Sequence, residues 1–245
     1  MNNLLIDIGN SDIKAGKAVF PGKSIRLLKR FSYTKENFEH DFRENIDGLT
    51  DSGFNKIGIS VLSERNISFL KNFFGKKFTL SPEFINRNSN LPVKIRYSES
   101  LGNDRICSAS AAQILYGKKN ILVIDFGTAT TFTLLCKGII TGGIISPGIK
   151  TSLNSLISNT TLPGIRLAFP RKLYGNNTEN NIKAGVLYQS LFSAERIIKE
   201  TRKKYPDLFV AATGGLAGLI SGKTSLINTV DRYLVLKGIN FIISA

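Results

Sequence analysis

Asp7 closes a run of large apolar residues in "LLIDIGNSDIKAG", residues 4–16, and Asp125 does the same in "ILVIDFGTATTFT", residues 121–133. A carboxylate ending a buried strand is costly unless something compensates for its charge. In each stretch a glycine follows (Gly9, Gly127), and then short polar residues: Asn10 and Ser11 in the first, Thr128 in the second. Aligned on the aspartates, Asn10 and Ser11 fall on Thr128 and Ala129. Turns of this kind offer backbone N–H groups and small hydroxyls to phosphate oxygens, while the carboxylate suits a hydrated cation. The copies lie about half a chain apart, too far for a solenoid repeat and right for a duplicated domain. Two such turns facing across a cleft would hold the phosphates of a nucleotide from both sides.

A third candidate is "LGNDR" at 101–105, where Asp104 and Arg105 open a helical pattern over 103–116 that ends at Gly117, a C-cap. The helix dipole favours an ionised carboxylate there, so a low pKa is expected for Asp104. The planar fork of Arg105 suits a carboxylate better than lysine would. Other chemistry is hard to build. The single histidine, His40, sits in an amphipathic pattern far from either turn, and one His with two scattered cysteines makes no zinc site. "AGLISGKT" at 217–224 approaches a P-loop, but Ala217 stands where the first glycine belongs and the preceding strand ends too early, near Thr213. Acid–base work therefore falls to carboxylates.

The elements that position these residues alternate. Strands are expected at 3–8, 12–19, 25–32, 56–61 and 93–97, with helices near 35–46, 64–74 and 103–116. After "GKKN" at 117–120 come strands 120–126 and 129–136, and Pro147-Gly148 reads as the turn into a helix over 149–158. Residues 160–177 read as loop. A long helix over 178–203 follows, with Thr178 as its N-cap, and then the strand "LFVAAT", the turn "GGLAG" and a short final unit. Strand hairpins first and helices later, twice over, predict an α/β fold: a duplicated ribonuclease-H-like architecture with two similar domains around a nucleotide cleft. The expected domains are 1–117 and 118–245, the last few residues packing back on the first.

Composition agrees with an ordinary globular chain: 245 residues, 42% hydrophobic and 21% charged. No apolar run approaches the roughly 18 residues needed to span a bilayer, and the start lacks a basic region and a cleavage site, so neither membrane nor signal peptide is expected. Two cysteines suggest reduced thiols in a cytoplasm. The formal charge of +15 is carried by dispersed lysines without an RNA-binding signature, so an anionic substrate is preferred to a nucleic acid.

Taken in order, four motifs resemble the type III pantothenate kinases of the acetate and sugar kinase, heat-shock protein and actin superfamily: the turn at 7–14, "LGNDR", "DFGTATT" at 125–131 and "GGIISPG" at 142–148. "NNTENNIKAGVLY" at 176–188 and "ATGGLAG" at 212–218 extend the resemblance over nearly the whole chain. It implies ATP-dependent phosphorylation of pantothenate, the first step to coenzyme A, by a cytoplasmic homodimer that uses Mg2+ and a monovalent cation, K+ or NH4+. By position it implies that Asp7, Ile8, Gly9, Asn10, Ser11, Asp12, Ile13 and Lys14 form the first ATP-phosphate turn, with Asp7 on the magnesium side. Thr128 would contact the ATP phosphates, and Asp125 the monovalent cation. Gly102, Asn103, Asp104 and Arg105 would surround pantothenate, Asp104 as base and Arg105 on the substrate carboxylate. Tyr97 and Thr178 match substrate contacts, Thr178 reaching across a dimer interface. The segment from Tyr97 to Gly102 is shorter than the family's and lacks its proline. Two alternatives are a kinase of another small hydroxy acid and a non-catalytic regulator resembling Bvg accessory factor. An intact Asp104 and both Asp-Gly turns favour catalysis.

Overall fold

Two runs of apolar residues, too continuous to alternate, become the central strands β1 (Asn2–Ile8) and β7 (Asn120–Phe126), covered on both faces. The computed structural model describes residues 1–78, 80–158 and 164–245. It divides into two units: residues 1–117 with 233–245, and residues 118–232.

In the first unit β1 pairs antiparallel with β2 (Asp12–Val19) and parallel with β4 (Lys56–Val61), and the sheet runs β3 (Arg26–Ser32), β2, β1, β4, β5 (Glu83–Phe84). Helix α1 (Phe38–Ile46) buries Phe38, Phe42 and Ile46 at the four-residue spacing of one face. Helix α2 (Ile67–Phe78) buries Leu70, Phe73 and Phe74 against them in a cluster of edge-on rings. After the short β6 (Lys94–Ile95) comes α3 (Asn103–Tyr116), whose small residues Ser108, Ala109, Ser110, Ala111 and Ala112 are all buried.

In the second unit β7 pairs antiparallel with β8 (Ala129–Cys136), which pairs with β9 (Ile139–Pro147). Helices α4 (Ile149–Ile157) and α5 (Thr178–Lys204) follow; α5 buries Ala184, Leu187, Leu191, Ala194 and Ile198 along one stripe. Strand β10 (Phe209–Thr213) runs parallel to β7, then come α6 (Ala217–Ser221) and β11 (Thr229–Val230), parallel to β10. The last helix, α7 (Leu234–Ile243), belongs to the first unit. It packs so tightly on α3 that a Cβ on Gly238 would overlap the carbonyl of Cys107, while Ile239 and Ile243 press on Gly58 of β4. Asn3 of β1 donates to Asn240 at 2.9 Å within this buried contact.

Several expectations shift. Residues 139–147 form a strand that the sequence reading missed, because the Gly142-Gly143 pair and Pro147 weaken the strand pattern. The helix expected at 64–74 is a 3-10 turn at 64–66 followed by α2 to Phe78, and the strand expected at 93–97 shrinks to β6. The N-cap of α5 is Asn177, not Thr178: Asn177 is extended, and its side-chain oxygen accepts from the backbone N–H of Asn180 at 2.9 Å. Of the loop expected over 160–177, residues 160–163 lie outside the described residues, and 164–177 carry no helix or strand.

Candidate active site

The first hairpin places Asp7 directly opposite Lys14, and residues paired across strands share a face. Asp7 is 5% exposed, with Lys14 Nζ 3.3 Å away. Burial raises its pKa, and the lysine opposes that rise without cancelling it. The three-residue loop Gly9–Ser11 closes through Gly9 N–H donating to the Asp12 carbonyl at 3.0 Å. Ile8 and Ile13 point into the core, so only their backbone borders the turn. The Asp12 carboxylate is taken up by Arg30 (2.6 Å) and the Ser32 hydroxyl (2.7 Å). Partial burial would lift its pKa, but those bonds outweigh it and hold it low.

Gly102, in extended conformation, is the N-cap of α3. A Cβ there would lie 2.5 Å from Asp104 Oδ1, so the carboxylate folds back over the helix start only because residue 102 is glycine. Asp104 Oδ1 accepts from the backbone N–H of Arg105 at 2.9 Å. The expectation of a low pKa is overturned: burial first, and then the charge of Asp7, raise it, and the hydrogen bond and Arg105 do not compensate. Helix-start stabilisation loses because desolvation of this half-buried carboxylate is the larger effect. Arg105 is 5% exposed, with its guanidinium over the Tyr97 ring, 5.2 Å from the centroid. Asn103 turns away, donating to the carbonyl of Val61 at 2.9 Å. Cys107, one turn on, is fully buried; desolvation and then the two aspartates push its pKa well up, and it remains a protonated packing group.

The second hairpin is one residue shorter. Gly127 N–H donates to the Ala129 carbonyl at 3.1 Å, and only residues 127–128 separate the strands. The residue-by-residue alignment of the two stretches therefore fails after the turn: Ser11 lies in a loop, while Ala129 begins β8. Asp125 pairs with Thr131, not with a lysine. Its carboxylate lies over two glycines: a Cβ on Gly127 would come within 3.2 Å of Oδ1, and one on Gly214, where φ is +93°, would overlap it. The carbonyl of Thr128 accepts from Gly148 N–H (3.0 Å) and from the Thr151 hydroxyl (2.6 Å), and Gly148 packs on the turn where no Cβ would fit.

The first unit thus brings together Asp7, Lys14, Asp104, Arg105 and Tyr97, and the second brings together Asp125, Gly127, Gly148 and Gly214. Thr178 is exposed on the first turn of α5. A cavity of about 500 Å³ beside that turn is lined by Phe169, Arg171, Lys172, Tyr174, Asn176 and Lys183, and by none of the expected site residues. His40 is exposed on α1. In the P-loop-like stretch, α6 ends at Ser221, before Gly222-Lys223, so no helix opens after it.

Two sheets, each with an Asp-Gly hairpin at the end of its central strand, give the chain the fold seen in sugar kinases. A ROK family glucokinase from Streptomyces griseus, solved with glucose and AMPPNP, superposes with a TM-score of 0.53 at 13% identity, covering 100% of both chains. A Campylobacter jejuni protein described as a Baf family transcriptional activator gives 0.61 at 23% identity, over 98% of this chain and 97% of that one. These likenesses define the fold. The family follows from sequence: the family model for type III pantothenate kinase matches residues 3–200. The type III pantothenate kinase of Petrotoga mobilis is 34% identical over 245 residues, 96% of this chain and 95% of that protein. The chain belongs to the type III pantothenate kinase family.

Proposed function

We propose that this chain transfers the γ-phosphoryl group of ATP to the hydroxyl of pantothenate, with Asp104 as the proton acceptor. Family membership supports the reaction. The observation that carries the role of Asp104 is its place: a half-buried carboxylate of raised proton affinity, beside a buried arginine fork. Phosphoryl transfer passes through a loose transition state, so the protein chiefly positions groups and offsets charge. Arg105, stacked on Tyr97, has a fork suited to the pantothenate carboxylate and would orient the hydroxyl toward Asp104. A carboxylate with raised pKa is the stronger base, which suits a proton that leaves late.

Asp7 and Asp104 are hard oxygen donors, and the charge of Asp7 raises the cost of ionising Asp104, a combination that fits Mg2+. Asp7 would hold that ion, which when bound neutralises phosphate charge. The glycine cradle around Asp125, with threonine opposite rather than lysine, fits a monovalent cation, K+ or NH4+. Asn10, Ser11 and Thr128 would face the ATP phosphates.

Asp104→Asn keeps the shape and removes the acceptor. Turnover should fall by about 10²–10⁴ while ATP binding persists. Near-parental turnover would sink Asp104 as the base. The proposed functional unit is a cytoplasmic homodimer in which Thr178 serves the partner's site. Its support is the exposed position of Thr178 and the half-exposed Phe192 stacked on Tyr188 of the same helix. Much of the apolar surface of α5 is otherwise consumed within the unit, through Val186, Leu187 and Leu191. Light scattering should give a dimer, and an active monomer would overturn the shared site.

A further inference from the structure

Tyr33 lies between β3 and α1, outside every motif described above. Its ring stands edge-on to Phe38, with centroids 5.2 Å apart at 78°, and Phe38 is itself stacked on the buried Phe42. From this platform the phenol donates a 2.6 Å hydrogen bond to the backbone carbonyl of Gly9, at the short end of the range for O–H···O. Burial raises the pKa of Tyr33, so the phenol is a protonated donor at neutral pH. On its other side Gly9 donates its N–H to Asp12. Both polar groups of this glycine are engaged.

A trans peptide is planar, and its C=O and N–H point in opposite directions. Holding the Gly9 carbonyl toward Tyr33 therefore aims the N–H of Asn10 away from the aromatic cluster, on the opposite side of the peptide. Asn10 itself is exposed. Glycine turns the adjoining peptide at little steric cost, and a flip would present a carbonyl oxygen where the N–H now points. An anion there would meet repulsion in place of a hydrogen bond.

We propose that Tyr33 is a positioning residue for ATP: by holding the Gly9 carbonyl, its hydroxyl keeps the Asn10 amide turned toward a phosphate oxygen of the nucleotide. The inference rests on reading this turn as an ATP-phosphate site. Tyr33→Phe removes one oxygen and retains the ring contact with Phe38, so the chain should fold, which its unfolding midpoint verifies. Calorimetric titration with a non-hydrolysable ATP analogue, without pantothenate, is paired with initial rates for both substrates. The Kd of the analogue and the KM for ATP should rise about five- to tenfold, with the KM for pantothenate within about twofold of the parent. Unchanged nucleotide binding would overturn the proposal and show a purely structural hydroxyl. An equal rise in both KM values would overturn it in favour of general loosening. If the parent chain binds no analogue, the phosphate-site reading itself fails and this proposal falls with it; that outcome is distinct because the parent is titrated first.

Discussion

The two Asp-Gly hairpins begin alike and are completed differently. Both aspartates are the penultimate residue of a central strand. In the first hairpin the counter-charge is built in, as Lys14 across the ladder, and the turn is braced from outside by a phenol. In the second the partner position is Thr131, and the turn is shaped by backbone against backbone, with Gly148 and Gly214 pressed where no side chain fits. One solution spends side chains and tolerates a longer loop. The other spends glycines, packing backbone against backbone around the carboxylate.

The sharpest way to break this contrast is to add a methyl group to each turn. Gly214→Ala must place a Cβ at φ +93° against Asp125 and Phe126, and should cost about 3–5 kcal/mol in denaturant unfolding. Gly9→Ala meets only the Asp12 carbonyl at 3.3 Å and should cost about 1 kcal/mol or less. Similar losses at the two sites would dissolve the distinction.

Exchanging the counter-charge is the next test. Thr131→Lys would place an ammonium across the ladder from Asp125, as Lys14 stands across from Asp7. The parent should lose about tenfold in rate when sodium replaces potassium, or roughly 1.4 kcal/mol in barrier, whereas the lysine variant should respond equally to both salts. A parent indifferent to the salt counts against the cation site. Conversely, Lys14→Thr removes the group that lowers the pKa of Asp7, so the acid limb of the rate profile should move to higher pH.

The smallest effect concerns the cost of crowding two acids into the first unit. The pKa of Asp104 is raised on folding. Between its unfolded and folded values the native chain binds more protons, so stability falls as pH rises through the folded value. Asp104→Asn escapes this cost. Its Tm should exceed the parent's by roughly 2 °C at pH 7.5, with the advantage gone near about pH 4, where the unfolded carboxylate titrates. A lower Tm at pH 7.5 would show that the charged form is compensated in a way the geometry does not indicate.

What the sequence made legible was local. The strand pairs 120–126 and 129–136 and the helix 103–116 with its Gly117 cap agree with the structure because apolar runs and glycines act over a few residues. What stayed hidden depends on distant partners. The raised pKa of Asp104 requires Asp7 and burial, neither visible in "GNDR". Helix α7 buries every residue but Lys237, and a short apolar run of that kind reads equally as a strand or a buried helix. Tyr33 carries no motif, since a hydrogen bond to a backbone carbonyl leaves no mark on the residue that accepts it.

Helix α7 has a consequence for synthesis. Residues 1–117 leave the ribosome with the small-residue stripe of α3 and the Gly58 side of β4 still uncovered, because the segment that covers them lies beyond residue 233. At about 5–20 residues per second, roughly 6–24 s pass between the end of α3 and the start of α7. The second unit, continuous from 118 to 232, is complete within that interval. The half of the protein that is encoded first is the half that is finished last.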